Sequence, residues 1–205
     1  MHRRSLTLLL LGLILLGRSC FVHGLELMES EKTDHLARLL LEQTGKLDNH
    51  PWEGSSTDAR GMMSDKQRII VIPRTTLVED LRDPQVATEQ GALLGGLYLS
   101  PEFQPLLNGD KINPDRLPHL SVEEASDAKL ELLYLRLSVR HVGESDWRLL
   151  VFGSEDAPLI DTPFKASAEA GEGKLAVRID SEDPEHRRLI LQVFGKYESA
   201  FEIAN

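Results

Sequence analysis

Leu133-Tyr134-Leu135-Arg136-Leu137-Ser138-Val139-Arg140 alternates apolar and polar side chains without a miss. A period of two sends successive side chains to opposite faces of an extended chain, so this stretch reads as a β-strand with one face in a core. Lys174-Leu175-Ala176-Val177-Arg178-Ile179-Asp180 repeats the pattern. Between and after them lie Trp147-Arg148-Leu149-Leu150-Val151-Phe152, Leu159-Ile160 and Leu189-Ile190-Leu191-Gln192-Val193-Phe194. Small, polar and proline-containing segments at 143–146, 153–157, 165–173 and 181–186 punctuate these runs, and Pro158 suits a strand's first position. Residues 129–203 therefore predict a compact antiparallel β-unit, a sandwich or curled sheet of five to six strands. Leu130 and Leu132 stand on the opposite parity from Leu133, Leu135 and Leu137, which predicts a bulge or bend near Leu132-Leu133.

Upstream the pattern turns helical. Within 25–44, Leu36, Leu39 and Leu40 recur at helix spacing, Thr33 or Asp34 offers a cap, and Gly45 a stop. Residues 49–67 hold Pro51, Gly54, Ser55, Ser56, Gly61 and Ser64 and predict a linker, with Trp52 as a plug on the domain surface. Arg68-Ile69-Ile70-Val71-Ile72-Pro73 predicts a buried strand ended by proline. Thr76 with Glu79 forms a capping box, and Asp83-Pro84 opens a second helical pattern through Val86, Gln90, Leu93, Leu94 and Leu97. Gly91, Gly95 and Gly96 inside that pattern predict a helix packed closely on the sheet, or one that breaks at the glycine pair. Residues 108–124 read as loop.

The expected fold class is thus α+β, a helical N-terminal half packed on a C-terminal β-sandwich or curled sheet. The expected organisation is a leader at 1–24, a helix and linker at 25–67, and one globular domain at 68–205.

The leader reading comes from a basic start, His2-Arg3-Arg4, an apolar run from Leu8 to Leu16, and Gly24 before a cut. These are the three regions of a secretory signal peptide. The run is short of the roughly 20 residues that a lasting span requires. Retention as an anchor, or lipidation at Cys20, are the alternatives. Cleavage after Gly24 removes the only cysteine and leaves a chain that its core alone must hold. It also removes Arg3, Arg4 and Arg18, leaving 20 basic residues against 33 acidic ones. Such a balance argues against a nucleic-acid partner and against anionic lipid. The expected location is periplasmic or extracellular, with no stable membrane span after cleavage.

No motif for catalysis, cofactor or metal emerges. Ser100 and Ser154 lack the Gly-x-Ser-x-Gly context, and no His-Glu-x-x-His occurs. His35, His50, His119, His141 and His186 are scattered, and the acids near Asn108-Gly109-Asp110 miss the calcium-loop spacing. Asp161-Thr162-Pro163 departs from the aspartic-protease loop at its third residue. One face stands out. Tyr134, Arg136 and Arg140 share the side of their strand opposite Leu135, Leu137 and Val139, and such a stripe fits contact with an anionic partner. The alternative is a wet sheet face whose arginines pair with acids such as Asp180 or Glu198. The functional expectation is an exported, non-catalytic binding or assembly module that contacts a protein or envelope component. The alternative is a secreted hydrolase with a site assembled from distant carboxylates and histidines.

Overall fold

The computed structural model describes residues 25–47, 52–65, 67–77, 84–123, 129–143, 146–169, 173–180 and 187–204. The leader with Cys20, His50, His186, the turn at 181–186 and parts of the Thr76–Glu79 box and of the 143–146 loop lie outside the described residues. The helical N-terminal half is not found. Before residue 129 the described chain forms one α-helix, α1 (Ser30–Thr44), and seven strands. These are β1 (Glu26–Leu27), β2 (Arg60–Met63), β3 (Arg68–Pro73), β4 (Ala92–Leu99), β5 (Leu106–Leu107), β6 (Asp110–Lys111) and β7 (His119–Glu123). Seven more follow: β8 (Lys129–His141), β9 (Trp147–Phe152), β10 (Ile160–Pro163), β11 (Lys165–Ala166), β12 (Leu175–Asp180), β13 (Arg187–Val193) and β14 (Tyr197–Ile203). The protein is mostly β, and the α+β expectation is corrected accordingly.

The predicted helix over 83–99 is the largest single error. A short 3-10 turn at Pro84–Ala87 gives way to β4. Gly91 has φ +68°, a left-handed conformation that side chains resist, and a Cβ there would meet the Val139 carbonyl oxygen at 2.4 Å. At Gly95 an added Cβ would lie 2.1 Å from the Ile72 carbonyl oxygen. The glycines thus let β4 lie between β3 and β8 at close backbone approach. A register shift between Leu93 and Gly95 puts an extra residue into β4, so Leu94 joins Leu97 and Leu99 in the core. A bulge had produced the three-residue leucine spacing that reads as helix. The predicted linker and loop were also too plain: 49–67 contains β2, and 108–124 contains β6 and β7. Asn108 and Gly109, at φ 56° and 87°, turn β5 into β6.

Two main sheets result, with every pairing antiparallel. The larger runs β1-β2-β3-β4-β8-β9-β10, and β7 also pairs with β8, beside its first half. The smaller runs β11-β14-β13-β12. They pack face to face around Val71, Leu97, Leu135, Leu137, Val151, Leu175, Leu189, Leu191 and Ile203, all buried. Helix α1 covers part of the opposite face of the larger sheet. Its Leu36, Ala37 and Leu40 meet Ile70, Ile72, Tyr98, Leu120, Leu132 and Tyr134 in a second core. The order of layers is therefore helix, large sheet, small sheet.

This arrangement explains β8. Leu133, Leu135, Leu137 and Val139 enter the sandwich core, while Leu132 and Tyr134 enter the helix-side core. Both parities are apolar where both faces are covered, so no bulge exists at Leu132-Leu133; the ladder from β7 to β8 is continuous there. The helix itself begins at Ser30, ahead of the expected cap, so Thr33 and Asp34 lie inside it. Glu29 precedes it without a side-chain cap, and the Thr33 hydroxyl donates back to the Glu29 carbonyl at 2.9 Å. Gly45 stands at its end, as the pattern requires.

Candidate functional site

The outer face of the large sheet divides into two halves. Under α1 the face is closed by hydrogen bonds as well as packing. The hydroxyls of Thr44 and Tyr98 lie 2.9 Å apart, and Trp52 donates its indole N–H to the Tyr134 hydroxyl at 3.0 Å. The two tyrosine rings are tilted with centroids 5.3 Å apart. Trp52 therefore acts as a plug, on the helix side of the sheet. Burial pushes the Tyr134 phenol up to about 12, against the pull of the Trp52 hydrogen bond and the Arg136 charge. Burial likewise raises Tyr98, reinforced by Tyr134 and opposed by Thr44. Tyr134 is completely buried, so it cannot belong to a partner-contact face. The parity argument placed it on the correct side of β8 and missed that a helix lies over that end.

Beyond α1 the same side of β8 carries Arg136, Ser138 and Arg140. Arg136 pairs across the ladder with Phe152, Ser138 with Leu150, and Arg140 with Arg148. Phe152 and Leu150 are fully buried, and the Arg136 guanidinium lies 4.4 Å from the centre of the Phe152 ring. That is a cation–π contact. Arg136 and Arg140 are half-buried. Each hides an Nε without a hydrogen-bond partner, and neither forms an ion pair among the described residues. Four residues of strand separate their Cα atoms by about 13 Å.

Arg148 differs. Its Nε donates to Asp161 at 2.6 Å, and Asp146 lies 3.9 Å from its Nη1. Arg148 sits opposite Arg140, where two like charges would repel, and these acids offset one of them. The acids that the sequence suggested as partners for the stripe are elsewhere. Asp180 and Glu198 belong to β12 and β14 of the other sheet. Glu198 is nearly buried and accepts from Ser167 at 2.9 Å, from Lys165 at 3.2 Å and from Arg178 at 3.2 Å. Gln192 donates to Ser167 at 2.8 Å. This cluster joins all four strands of the small sheet or the chain just beyond them. The Glu198 carboxylate is met by three donors, and of the cluster's polar groups only the Arg178 Nε is buried without a hydrogen bond, which marks it as structural.

His141 stacks on Trp147 at 4.3 Å, closing the end of the β8–β9 pair. A hollow beside β1 is bordered by Glu26, Glu29, Lys32 and Asp65. No group of three or more His, Cys, Asp or Glu among them is placed to hold a metal ion. No helix among them is long and apolar enough to cross a membrane. Sequence reasoning placed Arg136 and Arg140 on one strand face but did not bring Phe152, Arg148 or Asp161 beside them. The alternation of Arg148, Leu150 and Phe152 was visible, but which strand lies beside β8 was not. The chain matches no protein-family profile, no curated protein and no solved structure.

Proposed function

We propose that this protein is an exported, non-catalytic binding module of the cell envelope or extracellular space that holds an anionic partner on the arginine half of its large sheet. One observation carries the reading. In a chain with 33 acidic and 23 basic residues, Arg136 and Arg140 share one strand face, half-buried and without a carboxylate among the described residues. Partly desolvating a cation without pairing it costs free energy, and an incoming anion recovers that cost. Arg148 shows the contrast, since the fold supplies it with Asp161.

The export part of the reading rests on the leader pattern together with the start of the fold. Leu25 packs against the main core and Glu26 pairs with Met63, so cleavage after Gly24 leaves these contacts intact. Intact mass of the exported form should begin at Leu25. For the binding part, residues 25–205 are melted with and without polyglutamate at low salt. A ligand that binds only the native state raises the melting temperature. The rise should disappear in the Arg136→Gln/Arg140→Gln variant. An equal rise in both proteins, or none in either, would refute the arginine face as the contact.

A further inference from the structure

We infer that two copies of this chain pair edge to edge through β7, in a two-fold antiparallel contact that carries the large sheet from one protomer into the other. Within the sheet β7 lies beside β8 alone. In an antiparallel ladder every second residue turns its N–H and C=O toward the neighbour, and the residues between turn theirs away. The Tyr134 N–H donates to the Pro118 carbonyl at 2.8 Å, which sets the phase. Leu120 and Val122 therefore bond to β8, while His119, Ser121 and Glu123 turn their backbone groups outward. Among the described residues none of these three has a backbone partner on that side. His119 and Glu123 are exposed and Ser121 is half-buried. Such an edge is a template for another strand unless something blunts it. β1 is two residues long, and β10 ends at Pro163 and leads into β11 of the other sheet. β7 is five residues long, with no proline and an unbroken register.

The residues of β7 decide which partner fits. Read about Ser121, the strand is its own complement: with Ser121 facing Ser121 of the second copy, His119 faces Glu123 and Leu120 faces Val122. Outward residues then meet outward residues, and each such pair exchanges two backbone hydrogen bonds. A slip by two residues sets Ser121 opposite His119 or Glu123 and leaves an outward residue of each copy unpaired. An imidazole donates an N–H to a carboxylate in either protonation state, so the His119–Glu123 pairing is attractive, and the two-fold axis repeats it. Within one chain Lys129 stands opposite Glu123, but its ammonium lies 2.7 Å from Glu131. The formal charge of −10 on each copy opposes their approach, which puts the contact in the small, transient class.

The test is sedimentation equilibrium of residues 25–205 at concentrations up to about 1 mM, where a reversible monomer–dimer equilibrium is expected. Ser121→Pro should leave a monomer that melts like the parent, because an outward N–H on an edge strand is where proline is tolerated. His119→Glu and Glu123→Lys should each weaken the dimer about tenfold, since each acts at two symmetry-related contacts and the first sets like charges opposite each other. The double variant His119→Glu/Glu123→Lys should restore the parent's affinity, because it exchanges the two partners and keeps the register. Circular dichroism melts of each variant separate lost pairing from lost folding, and if Ser121→Pro unfolds, the charge exchange decides. A parent that stays monomeric throughout, a dimer that persists in folded Ser121→Pro, or a double variant no tighter than the single ones would overturn the inference.

Discussion

Leu40→Ala tests whether α1 is a structural cover of the large sheet. Leu40 is 0 % exposed and packs with Leu36 and Ala37 into the cluster that contains Tyr98 and Tyr134. Truncating a fully buried leucine to alanine removes its transfer free energy and leaves a cavity, typically about 2–5 kcal/mol together. Alanine's better helix propensity returns only a few tenths of a kcal/mol. The Thr44 hydroxyl keeps its 2.8 Å bond to the Leu40 carbonyl, because the backbone is unchanged. We expect a net loss of about 3 kcal/mol, a large fraction of the 5–15 kcal/mol that holds a typical domain. The assay is urea unfolding of residues 25–205 followed by tryptophan fluorescence and far-ultraviolet circular dichroism. Trp52 lies in the helix layer and Trp147 at the sandwich core, so a Trp147→Phe background reports the helix layer alone. Arg38→Ala, which removes only an exposed ion pair with Asp34, serves as control and should cost under about 0.5 kcal/mol. A loss below about 1 kcal/mol for Leu40→Ala, with an unchanged denaturant slope, would show that the helix does not close that face.

Two further outcomes follow from other parts of the fold. Burial pushes the Glu198 pKa up, but hydrogen bonds from Ser167, Lys165 and Arg178 outweigh it and hold the carboxyl below its ordinary value. A depressed folded-state pKa contributes stability that is present above the unfolded value, about 4.3, and is lost as pH falls through the folded value. Melts between pH 7 and pH 3 should show this acid-side loss, and Glu198→Gln should flatten it while lowering stability at pH 7; an unchanged acid limb in the variant would assign the loss to other groups. Gly95→Ala should destabilise by more than the roughly 1 kcal/mol typical of a point mutation, because its Cβ would lie 2.1 Å from the Ile72 carbonyl oxygen and β3 or β4 must shift. Equilibrium unfolding checks this, and a variant as stable as the parent would mean that the strands part at that point without cost.

Alternation along 133–140 and 174–180 was enough to find β8 and β12, because a period of two has no other regular solution in a chain that must bury one face. The apolar runs at 147–152 and 189–194 likewise announced β9 and β13, and the antiparallel β-unit follows from them. The pattern around Leu36, Leu39 and Leu40 found α1 for the same reason in helical form. Arg136 and Arg140 were legible as neighbours on one face, since parity alone places them there. What parity does not contain is what lies above a face. Tertiary packing set α1 over Tyr134 and left Arg136 beyond its reach, which turned one expected contact residue into core. It also made β4 a strand. Leucine, alanine and glycine in that segment have weak β preference, and only the backbones of β3 and β8 on either side, close enough to exclude a Cβ at Gly91 and Gly95, give the extended form its advantage. Strand order is decided by the same long-range contacts. Asp161 reaches Arg148 and Glu198 reaches Arg178 because sheets bring together residues 13 and 20 positions apart, and no local pattern records which acids those will be.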